Sequence, residues 1–200
     1  MNIFIASVLG YLFGSIPSAL IIGKVFYKVD IREHGSGNLG GTNAGRTLGS
    51  KAGVIVIAMD ALKGTIAMLI ASLFDPSTVI YAGFFATIGH CFPIFAKFKG
   101  GKAVATAVGY LLGTSLLVTK QPLLHLVLPV AIFLVLLYFT KMVSLASIIA
   151  IPSAAVIMFF TQSDMKVTIA TAIIAAIVVV RHRKNIERIL NKTERKITWM

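Results

Sequence analysis

Seven apolar stretches, roughly residues 2–24, 52–74, 77–96, 103–119, 122–140, 142–162 and 165–181, leave this chain almost no polar surface with which to face water. A helix that crosses a bilayer needs about 20 mostly apolar residues, and no segment between these stretches is long enough to form a soluble domain. The rest of the composition agrees. Hydrophobic residues make up 57% of the chain and charged residues 13%, about half the charged share of a soluble globule. Intrinsic disorder is excluded on the same ground, because disordered chains are polar and highly charged. The expected fold is an all-α membrane protein, a bundle of about seven transmembrane helices forming one multi-span domain over 1–200 with a basic tail at 182–200. Gly10–Gly14 and Gly109–Gly113 have the spacing of close helix–helix contacts. The single cysteine, Cys91, rules out a disulfide framework and cysteine-rich zinc sites.

The nineteen Lys and Arg against seven Asp and Glu give a net charge of +12. Sixteen of the cations fall in 24–51, 97–102, at Lys141 and in the tail, whereas Lys120 and Lys166 stand on the opposite side. Cytoplasmic loops collect Lys and Arg, so the N-terminus is expected outside and the C-terminus in the cytoplasm. MNIFIAS lacks the basic start of a cleavable signal, and the first span is expected to be retained. Nucleic acid is the poorest partner for such a charge in a chain without a soluble domain; lipid headgroups and anionic substrates remain.

Four stretches place polar groups where topology alone would not. HGSGNLGGTNAGRTLG, from His34 to Gly49, combines glycines, which can turn backbone N–H groups inward, with Ser36, Asn38, Thr42, Asn43 and Arg46 as donors. Asn and Arg distinguish it from a flexible Gly/Ser linker. Its Gly35-x-Gly37-x-x-Gly40 spacing matches a dinucleotide fingerprint but lies between membrane helices rather than in a βαβ unit. GHCFPIFAKFKGGK follows, with Pro93 breaking the third span and Gly100, Gly101 and Lys102 expected at the start of the next helix. His90 alone reads equally as packing or function. Asp60 and Lys63 place an acid and a base three residues apart inside a span, where each costs at least ~2.5–3.5 kcal/mol; a self-neutralising pair and a substrate contact both fit. Ser144 and Ser147 share one helical face, as do His182 and Asn185.

Together SGNLGGTNAGR (36–46), DALKG (60–64), GHCFPIFAKFKGGKAVAT (89–106), KMVSLAS (141–147) and RHRKNIERI (181–189) closely resemble the bacterial integral-membrane acyl-phosphate:glycerol-3-phosphate acyltransferase family. Ala103 departs from it, a glycine being more typical there. The resemblance implies transfer of a fatty acyl group from acyl phosphate to the 1-hydroxyl of sn-glycerol 3-phosphate, giving lysophosphatidic acid and phosphate in phospholipid synthesis, with no cofactor and no metal. It also implies a monomer in the bacterial inner membrane, in contact with membrane lipids, with its site facing the cytoplasm. Ser36, Arg46, Ser144, His182 and Asn185 are the expected catalytic groups. Gly37, Asn38, Gly40, Thr42, Asn43, Lys63, His90, Gly100, Gly101 and Lys102 are expected to bind the phosphates, and Asp60 and Glu187 to be structural, Glu187 by pairing with Arg183 or Lys184. A His-x-x-x-x-Asp dyad is absent; His182 and Glu187 come nearest, but five residues of helix turn them about 140° apart. A small organic-phosphate transporter is the competing class. The clustering of cations on one side argues against it, since alternating access wants a site near the midplane.

Overall fold

The computed structural model describes residues 1–197, which are helical with no strand among them. The chain divides into two compact units, Met1–Gly113 and the part from Thr114 on.

The first unit contains α1 (Ile3–Gly14), α2 (Ser18–Phe26), α3 (Gly41–Leu48), α4 (Ser50–Phe74), α5 (Val79–Cys91) and α6 (Val104–Gly113). Asn2 caps α1 by accepting the Ile5 N–H. α1 and α2 make one 24-residue apolar segment, Ile3–Phe26, interrupted before Pro17. Proline has no N–H to give to the ladder and clashes with the turn before it, so the helix breaks there. α1 packs on α5, and α4 on α3, α5 and α6. The contacts are made by small residues. A methyl at Gly10 or Gly14 would strike the backbone of Ala82 or Ala86, and one at Gly109 the backbone of Ala61. The buried interior is dominated by alanines such as Ala6, Ala67, Ala71, Ala82 and Ala86, while Phe4, Leu73 and Phe74 point outward. Small inside and large outside is the arrangement that close packing in lipid selects.

The second unit contains α7 (Leu128–Thr140), α8 (Val143–Thr161), α9 (Met165–Arg181) and α10 (Arg183–Leu190). π-helical turns at Thr114–Val118 and Leu123–Val127 precede α7. α8 packs between α7 and α9. Buried His125 bridges Thr119 and Thr161, at 2.7 and 2.8 Å.

All seven expected segments are helical, with ends within two residues of those expected. Five are long and apolar enough to cross a membrane. Met165–Arg181 joins them only as a span bent by 58° into α10. Val104–Val118 is shorter, about 22 Å at 1.5 Å per residue, against a hydrocarbon thickness of about 30 Å. The cation-bearing loops share ends within each unit. Ile31, Leu39 and Ala44 are buried in one cluster with Ala96, and the Ile197 N–H donates to the Lys141 carbonyl at 2.8 Å. The expected tail falls within the description up to Ile197, and 198–200 lie outside it.

Candidate active site

In the first unit the Gly-rich loop is a packed element rather than a slack connection. Ile31, Leu39 and Ala44 anchor it on Ala52 and Val56 of α4. Asn43 ties it together from inside. Its Oδ1 accepts the Ser36 N–H at 2.8 Å, and its Nδ2 donates to the carbonyls of Ile31 and His34 at 3.3 and 3.1 Å. Both amide hydrogens of Asn43 are therefore engaged by the loop backbone. Gly35 and Gly37 take left-handed conformations, φ +63° and +67°, which let the chain turn around this amide. Ser36 and Thr42 are exposed, as is Arg46, while Gly37, Asn38 and Gly40 are half-buried. Thr42 and Arg46 lie one turn apart on the exposed face of α3. Two other cations are engaged at the base of the loop. Asp30 accepts from Arg32 Nε and Nη2 at 2.9 and 2.6 Å and pairs with Lys24 at 3.2 Å. The Arg32 hydrogen bond holds the Asp30 carboxyl well below the usual carboxylate range, with Lys24 adding to it.

Beneath lies a buried ionic network. Lys63 Nζ donates to Asp60 Oδ1 at 2.9 Å, to the Ile16 carbonyl at 3.0 Å and to His90 Nδ1 at 2.9 Å. An ammonium has three hydrogens, so all of its donors are engaged inside the unit. Ser18 Oγ donates to Asp60 Oδ1 at 2.8 Å. The break before Pro17 thus has a use, because it turns the Ile16 carbonyl and Ser18 hydroxyl onto the pair in α4. Of the two readings open for Asp60 and Lys63, the geometry is that of mutual neutralisation.

The Gly-Gly-Lys stretch closes over His90. The Gly101 N–H donates to the His90 carbonyl at 3.1 Å. A methyl on Gly101 would meet the His90 ring, and one on Gly100 the His90 carbonyl and Pro93. Close approach to His90 is what demands glycine here. Contrary to the expectation that Lys102 begins the next helix, α6 starts at Val104, because Ala103 is left-handed, φ +61°. That conformation also accounts for glycine being the more typical residue at this position.

In the second unit three side chains converge on an acid that the sequence reading passed over. Glu194 Oε1 accepts from Ser144 Oγ at 2.8 Å and from Asn185 Nδ2 at 2.7 Å, and Oε2 accepts from Arg188 Nε at 2.7 Å. Burial opposes ionisation of Glu194, but the bonds from Arg188, Asn185 and Ser144 outweigh it and lower its pKa. His182 sits at the bend between α9 and α10, its Nδ1 2.7 Å from the Val178 carbonyl. A carbonyl can only accept, so Nδ1 carries the proton. Ser147 bonds to the Val143 carbonyl of its own helix. Glu187 corrects the expectation made for it. It is exposed on α10, and among the described residues no ion pair joins it to Arg183 or Lys184, because the acid that meets the basic helix is Glu194. No local motif marks Glu194; only the fold-back of the tail brings it to α8.

Fold and site define a class: an all-helical integral membrane protein whose polar residues gather in buried networks under basic loops. Comparison with known proteins narrows it. The family described as Glycerol-3-phosphate acyltransferase matches residues 4–192. A glycerol-3-phosphate acyltransferase of Geobacillus kaustophilus is 51% identical over 192 residues, covering 96% of this chain and 94% of its own. That of Bacillus subtilis is 50% identical over the full length of both. The crystal structure of PlsY, an integral membrane glycerol 3-phosphate acyltransferase, in its glycerol 3-phosphate form superposes with a TM-score of 0.89 at 35% identity, over 99% of this chain and 96% of that one. Its lysophosphatidic acid form gives 0.85 at 34%, with the same coverage. The chain belongs to the glycerol-3-phosphate acyltransferase family.

Proposed function

We propose that this protein transfers a fatty acyl group from acyl phosphate to the 1-hydroxyl of sn-glycerol 3-phosphate, yielding lysophosphatidic acid and inorganic phosphate. The observation that carries this reading is the full-length likeness to a relative solved both with glycerol 3-phosphate and with lysophosphatidic acid. Acyl phosphate is a mixed anhydride with a good leaving group, so a strong protein base is not needed to activate the glycerol hydroxyl. The glycerol oxygen attacks the acyl carbon, the tetrahedral intermediate collapses by breaking the carbon–oxygen bond to phosphate, and the departing phosphate takes the hydroxyl proton. The protein orients the reactants and stabilises developing charge.

In this reading Arg46 and Lys102 clamp phosphate, and the amides around Gly37 and Gly40 with Ser36, Asn38 and Thr42 supply donors to it. Asn43 holds that loop in shape, while Lys63, His90, Gly100 and Gly101 support Lys102 from below. Ser144, His182 and Asn185 orient the glycerol hydroxyl or the acyl carbonyl. All seven helical segments cross the inner membrane of a bacterium, with the N-terminus outside and both sets of basic loops in the cytoplasm, as the one-sided cation distribution favours. The chain acts as a monomer.

Purified protein given palmitoyl phosphate should release phosphate only when glycerol 3-phosphate is present, and R46A should lose that activity while keeping its thermal stability. Phosphate release independent of glycerol 3-phosphate, or an active R46A, would contradict the reading.

A further inference from the structure

At the break before Pro17 the first unit has a groove of about 440 Å³, within the range of ligand pockets. One wall is α2, whose Leu20, Ile21, Lys24 and Val25 follow Ile16 at helical spacing, and another is Phe95. Phe95 is held beside α2 because its neighbour Ala96 is buried in one cluster with Ala19 and Ile22. Ile21, Val25 and Phe95 are exposed, so in a bilayer the groove opens to lipid. Lys24 brings a charge to this apolar lining and stands with Val25 in the last turn of the α2 wall. It touches Asp30 at 3.2 Å, but that acid already gives both oxygens to Arg32, and the Lys24 side chain stays 53% exposed. Exposed Lys28, Lys97 and Lys99 lie on the segments that continue the two walls. Residues 24–33 and 97–99 together hold five cations against Asp30 and Glu33.

We propose that this groove seats an anionic diacyl phospholipid of the bilayer, one acyl chain lying against α2 and Phe95 and the headgroup phosphate meeting Lys24 and Lys28. An apolar trough that ends in cations matches the two parts of such a lipid. A lysine stem follows apolar surface while its ammonium reaches headgroup level, and a cluster of about four or more Lys just beyond a span is the pattern that recruits anionic lipid. None of the lining residues belongs to the groups given to the substrates above, so the inference does not depend on the acyl-transfer reading. A lipid seated there touches both α2 and the Ile94–Ala96 turn, and so resists their separation on heating.

The test is thermal unfolding of the purified protein in dodecyl maltoside, with palmitoyl-oleoyl phosphatidylglycerol or the zwitterionic phosphatidylcholine of the same chains added. At about ten times its Kd, phosphatidylglycerol should raise the melting temperature by about 3–6 °C in a chain of this size, and phosphatidylcholine by less than half as much. K24Q/K28Q should bring the phosphatidylglycerol shift down to that of phosphatidylcholine. V25W, which places an indole in the groove from a position 55% exposed, should abolish both shifts; I21W serves in its place if V25W does not fold. Equal shifts from the two lipids in wild type overturn the proposal, because the cations then select nothing. So does a phosphatidylglycerol shift that survives both tryptophan variants, which would put the lipid elsewhere on the surface. If V25W keeps that shift but raises the KM for palmitoyl phosphate severalfold, the groove is the donor's seat instead. The unfolding shifts are read without turnover, so failure of the functional reading and failure of this proposal are separate results.

Discussion

Lys63 Nζ donates to His90 Nδ1 at 2.9 Å, and the ring of that same histidine is the surface on which Gly101 is packed. A buried charge in α4 is thereby connected, through one imidazole, to the backbone that carries Lys102. With Nδ1 accepting from the ammonium, the proton of a neutral His90 resides on Nε2, on the Gly101 side.

Removing one member of this network should be far worse than removing both charges. K63M removes the ammonium and leaves the buried Asp60 carboxylate to Ser18 and to His90, whose Nδ1 lies 3.5 Å away, and should cost about 3–5 kcal/mol. The double variant D60N/K63M should recover much of that loss. Thermal unfolding in detergent measures both, and equal destabilisation of the single and double variants would deny that the pair is self-neutralising.

The contact between α3 and α4 is asymmetric. A methyl on Gly45 would lie 3.6 Å from the Gly53 Cα, an ordinary contact, whereas one on Gly53 would lie 2.7 Å from the Gly45 Cα. G45A should be neutral or stabilising by up to about 1 kcal/mol, the helix-propensity gain. G53A should destabilise by roughly 1–3 kcal/mol and reduce activity by lifting Thr42 and Arg46. Comparing the melting temperatures and rates of the two checks this, and similar behaviour would refute the packing.

The pKa of Glu194 is lowered from an ordinary value of 4.5. Its stabilising bonds are therefore fully present above that value and are lost as pH falls through the folded-state pKa. The melting temperature of wild type should exceed that of E194Q at neutral pH, and the gap should narrow only below about pH 4.5. A gap that is constant down to strongly acidic pH would mean that the charge of Glu194 contributes nothing.

At the end of α9, H182Q should retain more activity than H182A, because an amide can still donate toward the Val178 carbonyl and accept on its other atom. E187Q should change neither rate nor stability by more than about 0.5 kcal/mol, as expected for an exposed side chain without a partner. A slow but stable E187Q would revive a His182–Glu187 dyad.

Hydropathy alone marked the long apolar helices, because a run of apolar residues in lipid has hardly any alternative to a helix, whereas the short polar helices α3 and α10, in the Gly-rich loop and the basic tail, carry no such signal. Polarity within those runs was legible too: Asp60 and Lys63 stood out as an interior pair, and the glycine spacings at 10–14 and 109–113 announced close contacts. Long-range partners were not. Nothing near Lys63 in the chain marks the Ile16 carbonyl as its acceptor, and the composition of the Gly-rich loop does not separate Asn43, which faces inward, from Ser36, which is exposed. Glu194 was the least visible, an ordinary acid in a basic tail until the tail folds back. Glu187 reads in sequence as the structural acid because it lies on the helix that carries Asn185, but it is Glu194 that makes the contact.

Acyl transfer requires that the bond broken be the one between the acyl carbon and the bridging oxygen. Palmitoyl phosphate labelled with ¹⁸O in that bridging position tests this directly in the presence of glycerol 3-phosphate. The account predicts that mass spectrometry finds the label entirely in the released phosphate and none in lysophosphatidic acid. Label retained in the lipid product or in free palmitate would mean that the phosphorus–oxygen bond breaks instead, and would contradict acyl transfer by this protein.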